Sequence, residues 1–131
     1  MRRLAVLLLL AFLLLAAGAS ASSYSLRGTY KATIRGKPAP LDGKWRLEFL
    51  PNSVVHTIRN GKLVVVGKAA RVGAKRLLLS DQSGSYACDS SEGKGTYVYA
   101  LSRGRLTFKV VKDKCVGRKL VLTTKPFVGV W

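Results

Sequence analysis

From Leu26 onward the chain is written in short stretches where apolar and polar residues alternate, the period of a strand with one face buried and the other in water. Gly43 to Leu50 is the cleanest case, with Trp45, Leu47 and Phe49 on one face and Lys44, Arg46 and Glu48 on the other. Leu26 to Ile34 sets Tyr30, Ala32 and Ile34 against Thr29, Lys31 and Thr33, and Ser53 to Arg59 sets Val54, His56 and Ile58 against Val55 and Thr57. Between the first two runs, Pro38 and Pro40 remove ladder donors and break the pattern. Asn60-Gly61 then supplies two residues that tolerate positive φ, which predicts a type I′ hairpin into a strand over Lys62 to Val66. Gly67 to Gly73 is looser, open to a bulged strand or a single helical turn at Lys68 to Arg71, with strand the preferred reading. Arg76 to Ser80 is a further short strand, Asp81 to Gly84 a turn, and Tyr86-Ala87-Cys88 a short bridging segment before the polar loop Asp89 to Lys94.

The remainder, Gly95 to Leu122, reads as an antiparallel meander of three strands. Tyr97, Tyr99 and Leu101 share one face, Ser102-Arg103-Gly104-Arg105 turns the chain, and Leu106, Phe108 and Val110 alternate with Thr107 and Lys109. Beyond Cys115-Val116-Gly117, Leu120 and Leu122 alternate with Lys119 and Val121, which predicts a third strand; Pro126 interrupts, and Phe127 to Trp131 is expected to close the sheet. Short, evenly spaced strands with no helix longer than a turn indicate an all-β fold. The near-absence of long connections favours an antiparallel up-and-down barrel of about eight strands over a Greek key.

The first residues change the length available for that fold. Arg2-Arg3, the apolar run Leu4 to Ala17 and the small residues Ala19-Ser20-Ala21 have the layout of a secretory signal peptide, so residues 1–21 are expected to be removed and residues 22–131 to form one domain. No later stretch could cross a membrane as a helix. The protein is therefore expected to be secreted, extracellular or periplasmic. In such a compartment the only two cysteines, Cys88 and Cys115, are expected to pair as a disulfide.

Charge adds a further property. The chain has 23 basic and 6 acidic residues, and loss of Arg2 and Arg3 leaves 21 against 6, a formal charge of +15. Such an excess attracts anionic surfaces. The cations fall mostly on the outward parity of strands, however, and no helix-turn-helix, zinc-finger or RNP-like pattern accompanies them, so no specific nucleic-acid site is expected.

Gly-x-aromatic occurs three times at a strand start: Gly28-Thr29-Tyr30, Gly43-Lys44-Trp45 and Gly95-Thr96-Tyr97. Together with Cys115-Val116-Gly117-Arg118, this pattern resembles the lipocalin-like, or calycin, barrels, particularly small secreted bacterial ones. In that family a Gly-x-Trp tryptophan packs under an arginine from the closing strands. The resemblance thus implies a barrel-end cation, with Arg118 as the candidate. The chain departs from the family in being short, in lacking the second Thr-Asp-containing motif and in showing no helix after the barrel.

An eight-stranded barrel is either filled by its own side chains or just wide enough for one small ligand. The inward residues Tyr30, Trp45, Phe49, Tyr97, Tyr99 and Phe108 serve for either, and for so short a chain the balance tips slightly to filling. His56 is the sole histidine, and no nucleophile elbow or paired-carboxylate spacing accompanies it, so no enzyme is expected. Asp81-Gln82-Ser83-Gly84-Ser85 lacks the later carboxylates of a calcium loop, and too few ligands remain for zinc; no metal or cofactor is expected. The leading expectation is a monomeric, non-enzymatic barrel that binds a small apolar or amphipathic ligand. The rivals are a protease-inhibitor-like or adhesive module acting through rim loops or through Ser22 to Arg27, and a cationic binder of anionic surfaces.

Overall fold

The computed structural model describes residues 26–36 and 39–130, so the expected signal peptide and its cleavage point lie outside the described residues. Eight strands form a closed antiparallel barrel in sequence order: β1 (Gly28–Ile34), β2 (Gly43–Phe49), β3 (Val54–Arg59), β4 (Lys62–Val72), β5 (Arg76–Ser83), β6 (Gly95–Ser102), β7 (Arg105–Lys112) and β8 (Phe127–Val130). This is the up-and-down topology that the short connections imply. Asn60 and Gly61 take φ of 50° and 79° at the β3–β4 hairpin, and Arg103-Gly104 takes 52° and 74° at the β6–β7 hairpin. Positive φ at both central residues matches the twist of the flanking strands. The loose stretch after Val66 continues β4 through a bulge at Val66/Gly67.

Inward alternation holds through β1 and β2, but β4 buries the consecutive Val64 and Val65 where the β3–β4 register shifts at Thr57/Ile58, and Leu101 and Val110, expected on the inward faces of β6 and β7, are exposed. Tyr30, Trp45, Phe49, Tyr97, Tyr99 and Phe108 all belong to one buried cluster with Ile34, Leu47, Leu77, Leu79, Leu106 and Phe127. The aromatics pack edge to face, with Tyr97 against Phe108 at 6.2 Å, Phe108 against Phe127 at 6.3 Å and Tyr30 against Phe49 at 5.9 Å between ring centroids. That geometry sets positive ring edges on negative faces. Cations on the strands lie outside: Arg46, Lys31 and Arg105 stand with Val128 in one outward row across β2, β1, β8 and β7.

Three expectations are corrected. The third meander strand is instead a helix, α1 (Val116–Thr124), which also overturns the expectation of no helix longer than a turn. Within Lys119 to Leu122 the alternation is too short to fix a period. Arg118, Val121 and Leu122 have the i, i+3, i+4 spacing of one helical face, and Val121 and Leu122 are buried. Cys115 caps the start by accepting from Arg118 N at 3.4 Å, and Pro126 follows the C-cap Lys125. Second, Asp81 to Ser83 extend β5 instead of turning, because Gly67 and Asp81 pair across the β4–β5 ladder. Third, Tyr86 to Cys88 is loop, held to β4 by Tyr86 N donating to Val64 O at 3.0 Å.

The helix has a clear place. β8 reaches only Arg105 and Leu106 of β7, and α1 packs on β7 where β8 does not. With the β1–β2, β3–β4 and β5–β6 connections it caps one end of the barrel, while the β2–β3, β4–β5 and β6–β7 connections form the other. No helix among the described residues is long and apolar enough to cross a membrane.

Candidate ligand cavity

A cavity of about 200 Å³ lies inside the barrel toward the helix-capped end. Its wall is set by strand parity: Trp45 and Phe49 come from β2, Val55 and Thr57 from β3, Leu79 from β5 and Phe108 from β7. Gly67 of β4 lines it as well. A Cβ there would fall 2.5 Å from the Ser80 carbonyl oxygen, so the bulge requires glycine. Val121 and Leu122 of α1 close the interior from above, with Leu41, Tyr86 and Gly117 at the rim.

The six aromatics named from the sequence therefore divide. Trp45, Phe49 and Phe108 border the cavity, while Tyr30, Tyr97 and Tyr99 fill the rest of the barrel. Tyr30 OH donates to the Arg27 carbonyl at 3.2 Å near the opposite end.

The tryptophan of Gly43-Lys44-Trp45 does pack under an arginine, and that arginine is Arg59. Its Cζ lies 5.4 Å from the centroid of Trp45 and 5.4 Å from that of Tyr86, a cation over a tilted pair of rings whose own centroids are 6.4 Å apart. Nη1 donates to Tyr86 Oη at 2.8 Å and Nε to the Asp42 carbonyl at 3.0 Å, while Trp45 Nε1 donates to Leu41 O at 2.7 Å. Gly43 is needed here: its φ is +145°, and a Cβ would come within 2.8 Å of the Asn60 amide that caps Lys44 N. The role could be read from sequence only by knowing that Arg59 is opposite Trp45 across the β2–β3 ladder.

Arg118, the cation expected there, stands at the same end with different partners. Its Nε and Nη2 grip Asp113 through two hydrogen bonds of 2.7 Å, and Nη2 also donates to the Gly93 carbonyl at 3.0 Å. Its Nη1 lies 3.3 Å from Asp81 Oδ1. The carboxylates beside it are Asp113 and Asp81. Each of these also receives the backbone N–H of one cysteine: Asp81 from Cys88 at 2.8 Å and Asp113 from Cys115 at 2.9 Å. Cys88 and Cys115 are joined as a disulfide with Cα atoms 6.0 Å apart, inside the usual range. One arginine thus ties together the two carboxylates that hold the two halves of the cystine.

This cluster governs local protonation. Burial alone would raise the Asp113 carboxyl, but hydrogen bonds from Arg118, Tyr97 and the Cys115 N–H overcome it and hold Asp113 below its ordinary value. Burial, then the hydrogen bond to Asp113, push the Tyr97 phenol well above its usual range. Burial opposes the charge on Arg118, and Asp113 outweighs it, so the guanidinium stays charged. Asp81 and the two sulfurs also lie close together, but sulfurs joined to each other offer no thiolate to a metal. His56 lies on the outward face of β3, with Nδ1 3.9 Å from Glu48 Oε2, and does not line the cavity.

Comparison of the chain with protein-family models, with curated proteins and with solved structures finds no match.

Proposed function

We propose that the protein is a secreted, non-enzymatic, lipocalin-like barrel that takes one small apolar or amphipathic molecule into its interior. The observation that carries this reading is the cavity of about 200 Å³ walled by Trp45, Phe49, Val55, Leu79 and Phe108. A short barrel filled by its own side chains would leave no such space, and burying apolar ligand surface there gains roughly 25 cal/mol per Å² before the costs of association. The Gly43-Lys44-Trp45 motif with Arg59 stacked on its ring supports the lipocalin-like reading, because the motif's packing is present although another arginine provides it. The cluster of Asp81, Arg118 and Asp113 stands at this same end as a rigid rim.

The test is titration of the folded, oxidised protein with an environment-sensitive apolar dye while tryptophan emission is followed. Saturable dye enhancement at micromolar concentration, with matching quenching of Trp45, is expected. A dye signal that never saturates, or that leaves the tryptophan emission unchanged, would defeat the reading.

A further inference from the structure

The carboxylates of this chain are not spread over it as the cations are. Five of the six stand at the helix-capped end: Asp42 in the β1–β2 connection, Asp89 and Glu92 in the β5–β6 connection, and Asp81 and Asp113 around Arg118. The sixth, Glu48, lies on the outer wall of β2 and is taken by Arg46 at 3.1 Å. The opposite end has no Asp or Glu among the described residues. Its turns and strand tips present Arg27, Arg71, Lys75, Arg76, Arg103 and Arg105, all exposed. Local hydrogen bonds do not neutralise such groups: Arg71 Nε donates to the Gly73 carbonyl at 2.6 Å, and a carbonyl leaves the guanidinium its charge. Attraction to an anionic surface needs charge, not a spare donor.

Apolar side chains stand among these cations. Val72 and Val130 are the last residues of β4 and β8, and Leu101 is the last but one of β6; they are 49%, 44% and 42% exposed. The frame beneath them is fixed, because Tyr99 N donates to the Lys75 carbonyl at 2.9 Å and holds the β4–β5 turn against β6. We propose that the end of the barrel formed by the β2–β3, β4–β5 and β6–β7 turns docks on a membrane surface rich in anionic lipid, whatever the cavity holds. Cations there would meet the head groups while the apolar tips enter beneath them. A polyanion dissolved in water would pair with the same cations but gain nothing from the tips. The helix-capped end also carries cations, but its five carboxylates stand among them and would face the same head groups with the wrong sign.

The test is co-sedimentation of the oxidised protein with vesicles of phosphatidylcholine, alone or mixed equally with phosphatidylglycerol. Partitioning onto the mixed vesicles that weakens steeply as salt rises is expected, and no partitioning, or equal partitioning onto the neutral ones, would overturn the proposal. Two charge-matched double variants test the face. Lys75→Gln with Arg103→Asn removes two cations from the docking end, and asparagine tolerates the φ of 52° that Arg103 adopts. Lys94→Gln with Lys114→Gln removes two exposed cations from the helix-capped end. The first pair should weaken binding about 25-fold, about fivefold for each cation at an anionic surface, and the second pair far less. Equal losses would reduce the attraction to net charge and overturn the face. A third variant, Val72→Thr with Leu101→Thr, separates a bilayer from a soluble polyanion. It should weaken vesicle binding severalfold and leave binding to duplex DNA unchanged. Vesicle binding that survives V72T/L101T intact would overturn the membrane as partner and leave a polyanion in its place.

Discussion

The two ends of this barrel are held by different physics. At the helix-capped end Arg118, Asp113, Asp81, Tyr97 and the cystine form one connected unit around charges that are almost fully removed from water. The opposite end is made of close turns, β2 to β3 through Pro51–Ser53 and β6 to β7 through Arg103-Gly104, with Leu26, Phe49 and Leu77 packed beneath a second cleft of about 190 Å³. Phe49 and Val55 border both spaces and divide them. Packing errors are shared among many weak contacts, whereas an ionic cluster fails as a unit when one member is lost. Damage at the two ends should therefore differ in size and in pH dependence.

The largest difference is expected from Asp113→Asn, which leaves the Arg118 charge and the Tyr97 hydroxyl without their main partner. Loss of one member of a buried pair costs about 3–5 kcal/mol, read as a fall in the denaturant midpoint. The acid limb supplies a second reading. Because the folded carboxyl lies below its unfolded value, its stabilisation is present above pH about 4 and is lost as pH falls further; D113N should flatten that slope. An unchanged acid limb would place the acid-sensitive groups elsewhere. Next in size is the double variant Cys88→Ser, Cys115→Ser. The cysteines are 27 residues apart, and releasing the cross-link should cost about 3.5 kcal/mol on the chain-entropy account, measured in the same unfolding experiment. The smallest effect belongs to the other end. Tyr30→Phe removes the Tyr30 hydroxyl that donates to the Arg27 carbonyl, and a part-buried neutral hydrogen bond is worth about 1 kcal/mol. If Y30F proved as damaging as D113N, the contrast between the ends would collapse.

The parts legible in the sequence share one cause. A strand's two-residue period is local, so β1 to β7, the inward set from Tyr30 to Phe108 and the Asn60-Gly61 hairpin could be read from neighbouring residues alone. The helix was hidden because Lys-Leu-Val-Leu satisfies two periods over four residues. Only Arg118 with Val121 and Leu122, bracketed by Cys115 and Pro126, favours the helical one. The exchange of roles between Arg59 and Arg118 was out of reach for another reason. The choice depends on register across the β2–β3 ladder and on a loop that brings Tyr86 over the same guanidinium. Asp81 looked like a turn residue, and Asp113 carried no local signal, because their shared partner is brought to them only when the barrel has closed.

The closing seam joins Thr29 and Lys31 to Val130 and Val128, so the first described strand finds its second neighbour only in the last one. A nascent chain that has not yet presented Phe127–Val130 can build hairpins, but it cannot become a cylinder. Completion waits on the pairing of greatest sequence separation, the kind whose loop entropy slows folding most. Until that moment both β1 and β7 present free backbone to any neighbouring chain, and the outward cations Lys31 and Arg105 on those two strands keep identical copies apart.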